Sequence, residues 1–179
     1  MKPRFISDLH LSDKHPELTQ AFFKFLEESK EACTHLFILG DLFETWIGDD
    51  DDLPIHLEIK EALRAFTTDG PETFFMHGNR DFLVGEAFAK ETGITILPDP
   101  YILEINHQKV ILSHGDFLCT DDQDYIEHQP HLFIHGHTHR PNVHNIESSK
   151  RIVLGDWGEY GWLLTINEQE FNLEKFPIA

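Results

Sequence analysis

Cysteines and long apolar runs are scarce in this chain. The 179 residues include two cysteines, Cys33 and Cys119. Two such thiols form neither a disulfide framework nor a four-ligand zinc knuckle, so we expect both to be reduced core residues. No apolar run approaches the roughly 20 residues that a membrane-spanning helix needs, and none of secretory length follows the basic start. The sequence therefore predicts a cytoplasmic protein that does not cross a bilayer.

Basic residues are also few. Fourteen Lys and Arg stand against 32 Asp and Glu, a formal net charge of −18 at pH 7. Such a surface repels phosphate backbones and anionic headgroups, which argues against nucleic-acid binding and against electrostatic docking on lipid. The hydrophobic content of 40% and the 15 Phe exclude a disordered tail, and the length suits one domain. Thirteen His accompany the carboxylates, and these two ligand types together indicate a divalent-metal site.

Short apolar segments alternate with amphipathic ones along the chain. This alternation predicts an α/β fold that tends to a layered sandwich. The acidic run at residues 49–52 is expected to be a solvated loop. Residues 151–154 and 162–176 are expected to form antiparallel closing strands. The other predicted strands are residues 4–6, 35–39, 73–76, 101–105, 109–113 and 131–134, and the predicted helices begin at Pro16 or cover residues 55–66 and 82–90.

Polar clusters follow five of the predicted strands at the points where these strands end. Loops after the carboxyl ends of strands gather on one side of an open α/β sheet and build its site. We therefore expect the five clusters to converge, with glycines in the turns allowing close approach of the backbone. The clusters are Asp8-Leu9-His10, Gly40-Asp41, Gly78-Asn79-Arg80-Asp81, Ser113-His114-Gly115-Asp116 and Gly136-His137-Thr138-His139.

The donor atoms in these clusters are nitrogen and oxygen, without a thiolate. This set suits Mn, Fe, Zn or Mg rather than copper(I) or an iron–sulfur cluster. Two carboxylates, one amide and four imidazoles exceed what one ion requires, so we expect two divalent ions bridged by one aspartate. Such a pair generates hydroxide at neutral pH and holds the oxygens of a phosphoryl group.

Taken together and in order, the clusters resemble the motifs of the calcineurin-like metallophosphoesterase family. The likeness covers almost the whole chain and implies a two-sheet αββα sandwich with two metal ions, manganese being the expected metal. By position, the resemblance implies that Asp8, His10, Asp41 and His139 hold one ion, and that Asp41, Asn79, His114 and His137 hold the other, with Asp41 as the bridge. It also implies catalytic roles for Asn79, Arg80 and His137, and substrate contacts from Asn79, Arg80, Asp122 and His137.

Arg80 departs from the pattern of many family members, which have His after the Asn. A His can protonate a leaving alkoxide, whereas an Arg stays charged and binds phosphate. A phosphate leaving group departs without a proton, so Arg80 favours pyrophosphate cleavage. The resemblance is nearest to the branch that cleaves a nucleotide–lipid, which implies peripheral contact with the cytoplasmic face of the inner membrane. The alternatives are a phosphodiesterase or phosphatase with the same centre, and a scaffold that binds a protein without catalysis.

The junction between the last two clusters is short for a family member of this branch. Only 14 residues lie between Asp116 and His131, barely enough for a crossover between parallel strands. The branch carries a helical cap of several tens of residues here, and the cap is missing between Tyr125 and Ile126. Deletion of the cap, omission of its residues and a naturally capless relative all remain open. A capless chain is expected to keep its metals and to lose most of its lipid affinity, since each buried methylene contributes about 0.8 kcal/mol.

Overall fold

The first half of the chain alternates parallel strands with helices. The computed structural model describes residues 1–116, 129–168 and 170–178. Each strand leads through a helix to the next parallel strand, which places the helices as crossover connections. The elements are β1 (Pro3–Ile6), α1 (Pro16–Lys30), β2 (His35–Leu39), α2 (Pro54–Thr67), β3 (Glu72–Met76), α3 (Glu86–Thr92) and β4 (Thr95–Leu97).

The second half consists of strands over the residues that the structure describes. β10 pairs antiparallel with β1 and so returns the chain to the first sheet, whose order is β11-β10-β1-β2-β3-β4. The second sheet has the order β5-β6-β7-β9-β8. The strands are β5 (Tyr101–Ile105), β6 (Gln108–Ser113), β7 (Leu132–His135), β8 (Asn142–Ile146), β9 (Ser149–Val153), β10 (Tyr160–Asn167) and β11 (Glu170–Pro177).

Two apolar cores hold the layers together. One lies between the sheets, where Phe37 and Met76 of the first sheet join Leu112 and Ile134 of the second. The other lies between the opposite face of the first sheet and the three described helices, and includes Phe22, Ile59 and Phe88. The alternation of apolar side chains along the strands supplies both faces. The predicted α/β fold with a two-sheet sandwich is confirmed.

The predicted helix at residues 82–90 begins later than expected. α3 starts at Glu86, because Asp81 and Val84 close a turn before it and Gly85 takes an extended conformation. Gly93 ends the helix at φ 75°, a left-handed conformation that suits glycine. The apolar pair Phe82 and Leu83 mimics a helical pattern but is exposed to solvent, with 63% and 48% of each residue accessible.

Two further predictions about the strands need correction. Residues 151–154 were expected to form an antiparallel closing strand, but β9 lies inside the second sheet, parallel to β7 and antiparallel to β8. The segment 162–176 forms two strands, β10 and β11, that pair with each other. The sequence prediction also missed β4 and β8, since β4 has three residues and β8 has the polar pattern Asn-Val-His-Asn-Ile.

The acidic run at residues 49–52 is not a simple solvated loop. The Asp49 carboxylate accepts hydrogen bonds from the backbone N–H of Gly85 (2.8 Å) and Phe88 (3.0 Å), at the start of α3. Asp51 is 7% exposed, and its carboxylate lies 3.1 Å from the buried His56 ring. Orphan N–H groups at a helix start attract such a carboxylate, so this acidic segment is tied to α3.

Helices of the described residues are too short or too polar to span a membrane.

Candidate metal centre

The polar clusters meet at the carboxyl ends of β1, β2, β3, β6 and β7. The loop after β1 carries Asp8 and His10, the turn after β2 carries Asp41, and the loop after β3 carries Asn79 and Arg80. From the second sheet, β6 and β7 run parallel, so that their ends bring His114, His137 and His139 to the same place. The structure thus brings all seven predicted metal ligands together, while their role as ligands stays a prediction.

Five of these residues have a left-handed backbone. Positive φ angles are rare for residues other than glycine and cost about 1 to 3 kcal/mol each, so they persist only where the surroundings enforce them. The loops therefore hold these side chains in place at an energetic cost, as is common at functional sites. The five residues and their φ angles are Asp8 (56°), His10 (51°), Asp41 (52°), His137 (65°) and His139 (53°).

One set of donor atoms gathers around Asp8. The Nε2 atom of His139 lies 3.4 Å from Asp8 Oδ1 and 3.4 Å from His10 Nε2. His10 Nε2 is in turn 4.0 Å from Oδ2 of Asp41. Asp8 and Asp41 are buried, whereas the His139 side chain is 40% exposed. These are the four side chains that the family resemblance assigns to the first ion.

A second set gathers around His114. Its Nε2 atom lies 3.7 Å from Asp41 Oδ2, 3.3 Å from Asn79 Oδ1 and 3.2 Å from His137 Nδ1. The Nδ1 atom of His114 is 2.9 Å from the Leu39 carbonyl oxygen, which can only accept. His114 therefore donates from Nδ1 and keeps the Nε2 lone pair for a ligand.

The donor spacing fits bound cations. Atoms that bind one ion at roughly 2.1 Å lie about 3 to 3.5 Å apart, as these nitrogens do. Without cations, such unscreened lone pairs repel each other. Asp8, His10 and His139 form one triad of closely spaced donors, and Asp8, Asp41 and His114 form another. The same Oδ2 atom of Asp41 faces both His10 and His114, which is the position that a bridging carboxylate would occupy.

Glycines make this close packing possible at two places. A Cβ atom on Gly78 would collide with the carboxylate of Asp41, and one on Gly136 would collide with the carboxylate of Asp8. Both glycines are therefore required by the approach of a loop to a buried aspartate. In this way the sequence brings the loops after β3 and β7 against the two carboxylates.

Asp8 is held ionised by its neighbours. Burial alone would raise the pKa of this carboxyl group, but hydrogen bonds from His139 and Ser7 outweigh burial and hold the pKa below its ordinary value. The backbone N–H of His137 also donates to both carboxylate oxygens, at 3.1 and 3.0 Å. The hydrogen bond with Asp8 correspondingly raises the pKa of His139. The ionised Asp8 carboxylate is thus available to a cation, whereas His139 must release its proton before its Nε2 atom can bind one.

Asp81 fixes the loops that carry Asp41 and Asn79. Its fully buried carboxylate accepts hydrogen bonds from the backbone N–H of Leu42 (2.7 Å), Gly78 (2.8 Å) and Asp41 (3.2 Å). Burial raises the pKa of Asp81 to about 6, although the backbone hydrogen bonds act in the opposite direction. Asp81 therefore orients both loops through their backbone N–H groups.

The comparison with protein families agrees with this geometry. Residues 1–167 match the calcineurin-like phosphoesterase superfamily domain. The chain belongs to this superfamily.

Curated relatives of this calcineurin-like phosphoesterase share one name. The chain is 36% identical to the UDP-2,3-diacylglucosamine hydrolase of Tolumonas auensis, with 99% of this chain and 98% of the relative covered. It is 35% identical to the hydrolase of that name from Aeromonas hydrophila, with 99% and 100% covered. The first alignment extends over 241 positions, although this chain has 179 residues, so the relative contains residues that this chain lacks.

Solved structures share the fold of this superfamily member at low identity. An archaeal phosphodiesterase superposes with a TM-score of 0.67 at 16% identity, covering 98% of this chain and all of the other. The YfcE phosphoesterase of E. coli gives a TM-score of 0.61 at 20% identity, with full coverage of both chains. Wild-type Vps29 of Entamoeba histolytica, solved in complex with zinc, gives 0.60 at 18% identity, again with full coverage.

Sequence analysis missed two carboxylates of this phosphoesterase site. Glu44 lies with Oε2 at 3.0 Å from His10 Nδ1 and with Oε1 at 3.5 Å from the Arg80 guanidinium. Asp156 lies 3.5 Å from His139 Nδ1. Such carboxylates orient imidazole ligands and raise their basicity. The only available signal was that Glu44 stands inside the motif that begins at Gly40; Asp156 had none.

Other sequence predictions have mixed outcomes. His77 Nε2 donates to the Val84 carbonyl (2.6 Å), and burial lowers the pKa of the His135 ring to about 4. Cys33 is a buried free thiol, as expected. Asp122, predicted to contact substrate, lies outside the described residues, as do Cys119 and the junction between residues 125 and 126.

Proposed function

We propose that this chain hydrolyses the pyrophosphate bond of UDP-2,3-diacylglucosamine to UMP and 2,3-diacylglucosamine 1-phosphate. The observation that carries the proposal is an identity of 34% to 36% with hydrolases named for that substrate, over nearly the whole of each chain. In the reaction, the oxygen of water bonds to the phosphorus of UMP. The bond from that phosphorus to the bridging oxygen breaks, the bridging oxygen stays on the lipid phosphate, and a proton passes to solvent.

The proposal includes two divalent ions, with manganese as the native metal. Asp8, His10, Asp41 and His139 would hold one, and Asp41, Asn79, His114 and His137 would hold the other. Bound ions of this kind lower the pKa of water and neutralise phosphoryl oxygens. The donor spacing around Asp8 and His114 supports this part of the proposal.

Arg80 has the chemistry to select a pyrophosphate. Its side chain is 51% exposed at the edge of the site and touches Glu44, so it is available to bind a phosphoryl oxygen of the departing group. Asn79 would donate its amide N–H to the substrate, and His137 would stabilise the developing negative charge. Asp122 would contact the substrate. Since Arg80 holds its proton permanently, the leaving group must be one that departs as an anion.

Turnover of the nucleotide–lipid tests the function directly. We expect the manganese-loaded chain to release UMP from UDP-2,3-diacylglucosamine in a detergent-dispersed assay followed by chromatography. It should also prefer this pyrophosphate to a chromogenic phosphodiester. Preference for the diester would contradict the role of Arg80, and a manganese content below one ion per chain at saturation would favour a non-catalytic scaffold.

An Arg80→His variant sharpens that test. A His at this position can give a proton to an alkoxide leaving group, so we expect slower cleavage of the pyrophosphate and faster cleavage of the diester. The matched control is Arg80→Lys, which keeps the charge but loses bidentate binding. If Arg80→His reduced both reactions equally, Arg80 would not determine the leaving group.

We also propose that the reaction takes place at the cytoplasmic face of the inner membrane. Exposed apolar side chains lie close in sequence to Glu44 and Arg80: Ile47, Phe82 and Leu83 have 71%, 63% and 48% of their surface accessible. Such side chains suit contact with acyl chains. Flotation with vesicles that contain the nucleotide–lipid should recover more wild-type protein than a Phe82→Ser variant. Equal recovery would count against lipid contact at this edge.

A chain without the helical cap is the last part of the proposal. The 241 aligned positions of the Tolumonas relative, set against 179 residues here, support a missing internal segment. The intact mass of the purified protein distinguishes the alternatives: a mass near 20.8 kDa is expected if no residues lie between Tyr125 and Ile126, and a mass larger by several kilodaltons if the cap is part of the protein.

A further inference from the structure

A cavity of about 460 Å³ opens beside the candidate metal centre. Pockets of about 300 to 1,000 Å³ are the usual size for small-molecule ligands. His10 and Glu44 form the wall that the cavity shares with the centre. The rest of its lining includes Ser12, Lys14, Glu17, Leu18, Trp157 and Gly158.

The far wall of this cavity is joined to the ligand loops. The backbone N–H of Trp157 donates to the carbonyl of Asp8 at 2.9 Å, and the preceding Asp156 contacts His139. The Trp157 ring itself is packed in the core, edge-on to Phe25 at 5.7 Å. A ligand in the cavity would therefore contact Trp157, whose backbone is hydrogen-bonded to the loop that carries Asp8.

The cavity has polar groups that the fold does not use. The Ser12 hydroxyl is buried and lacks a hydrogen-bond partner within the part of the chain that the structure describes. Lys14 makes no ion pair with any described residue. Because the Ser12 oxygen is closed to solvent, a ligand in the cavity would meet the exposed ammonium group of Lys14 instead.

We propose that this cavity binds the ribonucleoside of the nucleotide–lipid substrate, an inference that rests on the proposed function. Lys14 would donate to a carbonyl oxygen of the pyrimidine, and Glu17, whose carboxylate also lies 3.0 Å from His15 Nδ1, would accept from the ribose hydroxyls. Leu18 supplies an apolar surface for the flat base. The phosphorus under attack would then lie over the metal centre, with its nucleoside on the His10 side.

The opposite end of the substrate has a different surface available. Arg80 lies on the other side of Glu44, and the exposed Phe82 and Leu83 follow it. Among the described residues, none between 78 and 86 lines the cavity. The polar end and the lipid end of the substrate would therefore leave the centre in different directions, one past His10 and the other past Arg80.

Gly158 offers a way to fill the cavity without disturbing the fold. A Cβ atom there meets nothing within 4 Å. We expect the affinity of the manganese-loaded protein for UMP, measured by calorimetry, to fall in the order Gly158→Ala, Gly158→Leu, Gly158→Phe. The Phe variant should lose about tenfold or more, because the base and the new ring would compete for the same space. Thermal unfolding and bound manganese are measured on the same samples to establish that each variant is folded and loaded.

Lysine substitutions provide the matched charge control. Lys14→Ala should weaken UMP binding about threefold or more, because a charge-assisted hydrogen bond is lost. Lys24→Ala removes the same charge from an exposed site on α1 and should bind UMP as the wild type does. Inorganic phosphate serves as a second probe. The Gly158→Phe variant should bind it as tightly as the wild type, since phosphate requires only the centre.

The outcomes separate this inference from the proposed function. Release of UMP by the wild type, together with selective loss of UMP affinity in Gly158→Phe, supports both. Release of UMP by the wild type with unchanged UMP affinity in every Gly158 variant overturns the cavity assignment and leaves the function intact. Equal loss of UMP and phosphate affinity in Gly158→Phe also overturns it, because the substitution would then act on the centre. No release of UMP by the wild type overturns the proposed function, and with it the subsite.

Discussion

The imidazoles of the candidate centre are anchored in two different ways. His114 is fully buried, and its Nδ1 donates to the backbone carbonyl of Leu39. His10 and His139 are partly exposed, and side-chain carboxylates face their Nδ1 atoms, Glu44 in one case and Asp156 in the other. A backbone anchor persists through any side-chain substitution at its own position, whereas a carboxylate anchor can be removed singly. The centre therefore has a fixed end at His114 and an adjustable end at His10 and His139.

Removal of Asp41 would abolish the distinction between the two ends. Its Oδ2 atom faces His10 Nε2 at 4.0 Å and His114 Nε2 at 3.7 Å, so both ends depend on it. We expect Asp41→Ala to lower UMP release about a thousandfold or more, and to lower bound manganese at both sites. Metal analysis and turnover measure this. Retention of two tightly bound ions would contradict a bridging role.

Comparison of His114→Ala with His139→Ala tests the two ends directly. We expect His114→Ala to cost more in metal affinity, about tenfold more than His139→Ala, because it removes a preoriented ligand from a site closed to water. Manganese titration of the two variants gives the ratio. Water can replace His139, which is 40% exposed, more readily than the buried ring. A larger loss for His139→Ala would reverse the assignment of the fixed end.

Asp81 supports the loops that carry Asp41 and Asn79. Truncation to Ala would leave the N–H groups of Leu42, Gly78 and Asp41 without their acceptor, although it would also relieve the cost of burying the charge. We expect a net loss of about 3 kcal/mol in the free energy of unfolding, measured by urea denaturation. Asp81→Asn keeps one carbonyl oxygen and should lose less. Equal stability of wild type and Asp81→Ala would show that the loops keep their conformation without the Asp81 carboxylate.

Glu44 supports the adjustable end, and here we expect the smallest effect. Glu44→Gln keeps the shape but removes the charge that faces His10 and Arg80, so manganese affinity should fall about tenfold. Stability should change little, because Glu44 is 44% exposed at its side chain. The matched control is Glu28→Gln, an equally conservative change at an exposed residue of α1 that pairs with Lys24. A loss in both variants would indicate a general effect of net charge.

Sequence patterns predicted the candidate ligands of both ends, but not the carboxylates that anchor the adjustable end. The strand-end residues could be found because a polar residue after an apolar run marks the edge where parallel strands end. Glu44 and Asp156 could not be found in the same way. Their contacts with His10 and His139 depend on how separate loops pack, which no local pattern records.

The start of α3 and the acidic loop illustrate the same limit. Phe82 and Leu83 continue an apolar pattern that predicts a helix. In the structure, the Asp81 carboxylate binds the backbone N–H groups of Leu42 and Gly78, and a turn from Asp81 to Val84 precedes the helix. The acidic run at residues 49–52 has the composition of a solvated loop, but the Asp49 carboxylate binds backbone N–H groups at the start of α3. In both cases a side chain contacts the backbone of a distant segment, and this contact overrides local propensity.

The left-handed backbone at five strand-end residues has a consequence for protein engineering. Glycine adopts this conformation without strain, so His137→Gly or Asp41→Gly should relieve backbone energy while it removes a donor atom. A selection for heat resistance alone would then enrich glycine at these positions and yield durable proteins that no longer turn over substrate. Directed evolution of this chain needs an activity screen in every round, since thermal stability favours glycine at these few positions whereas catalysis requires their donor atoms.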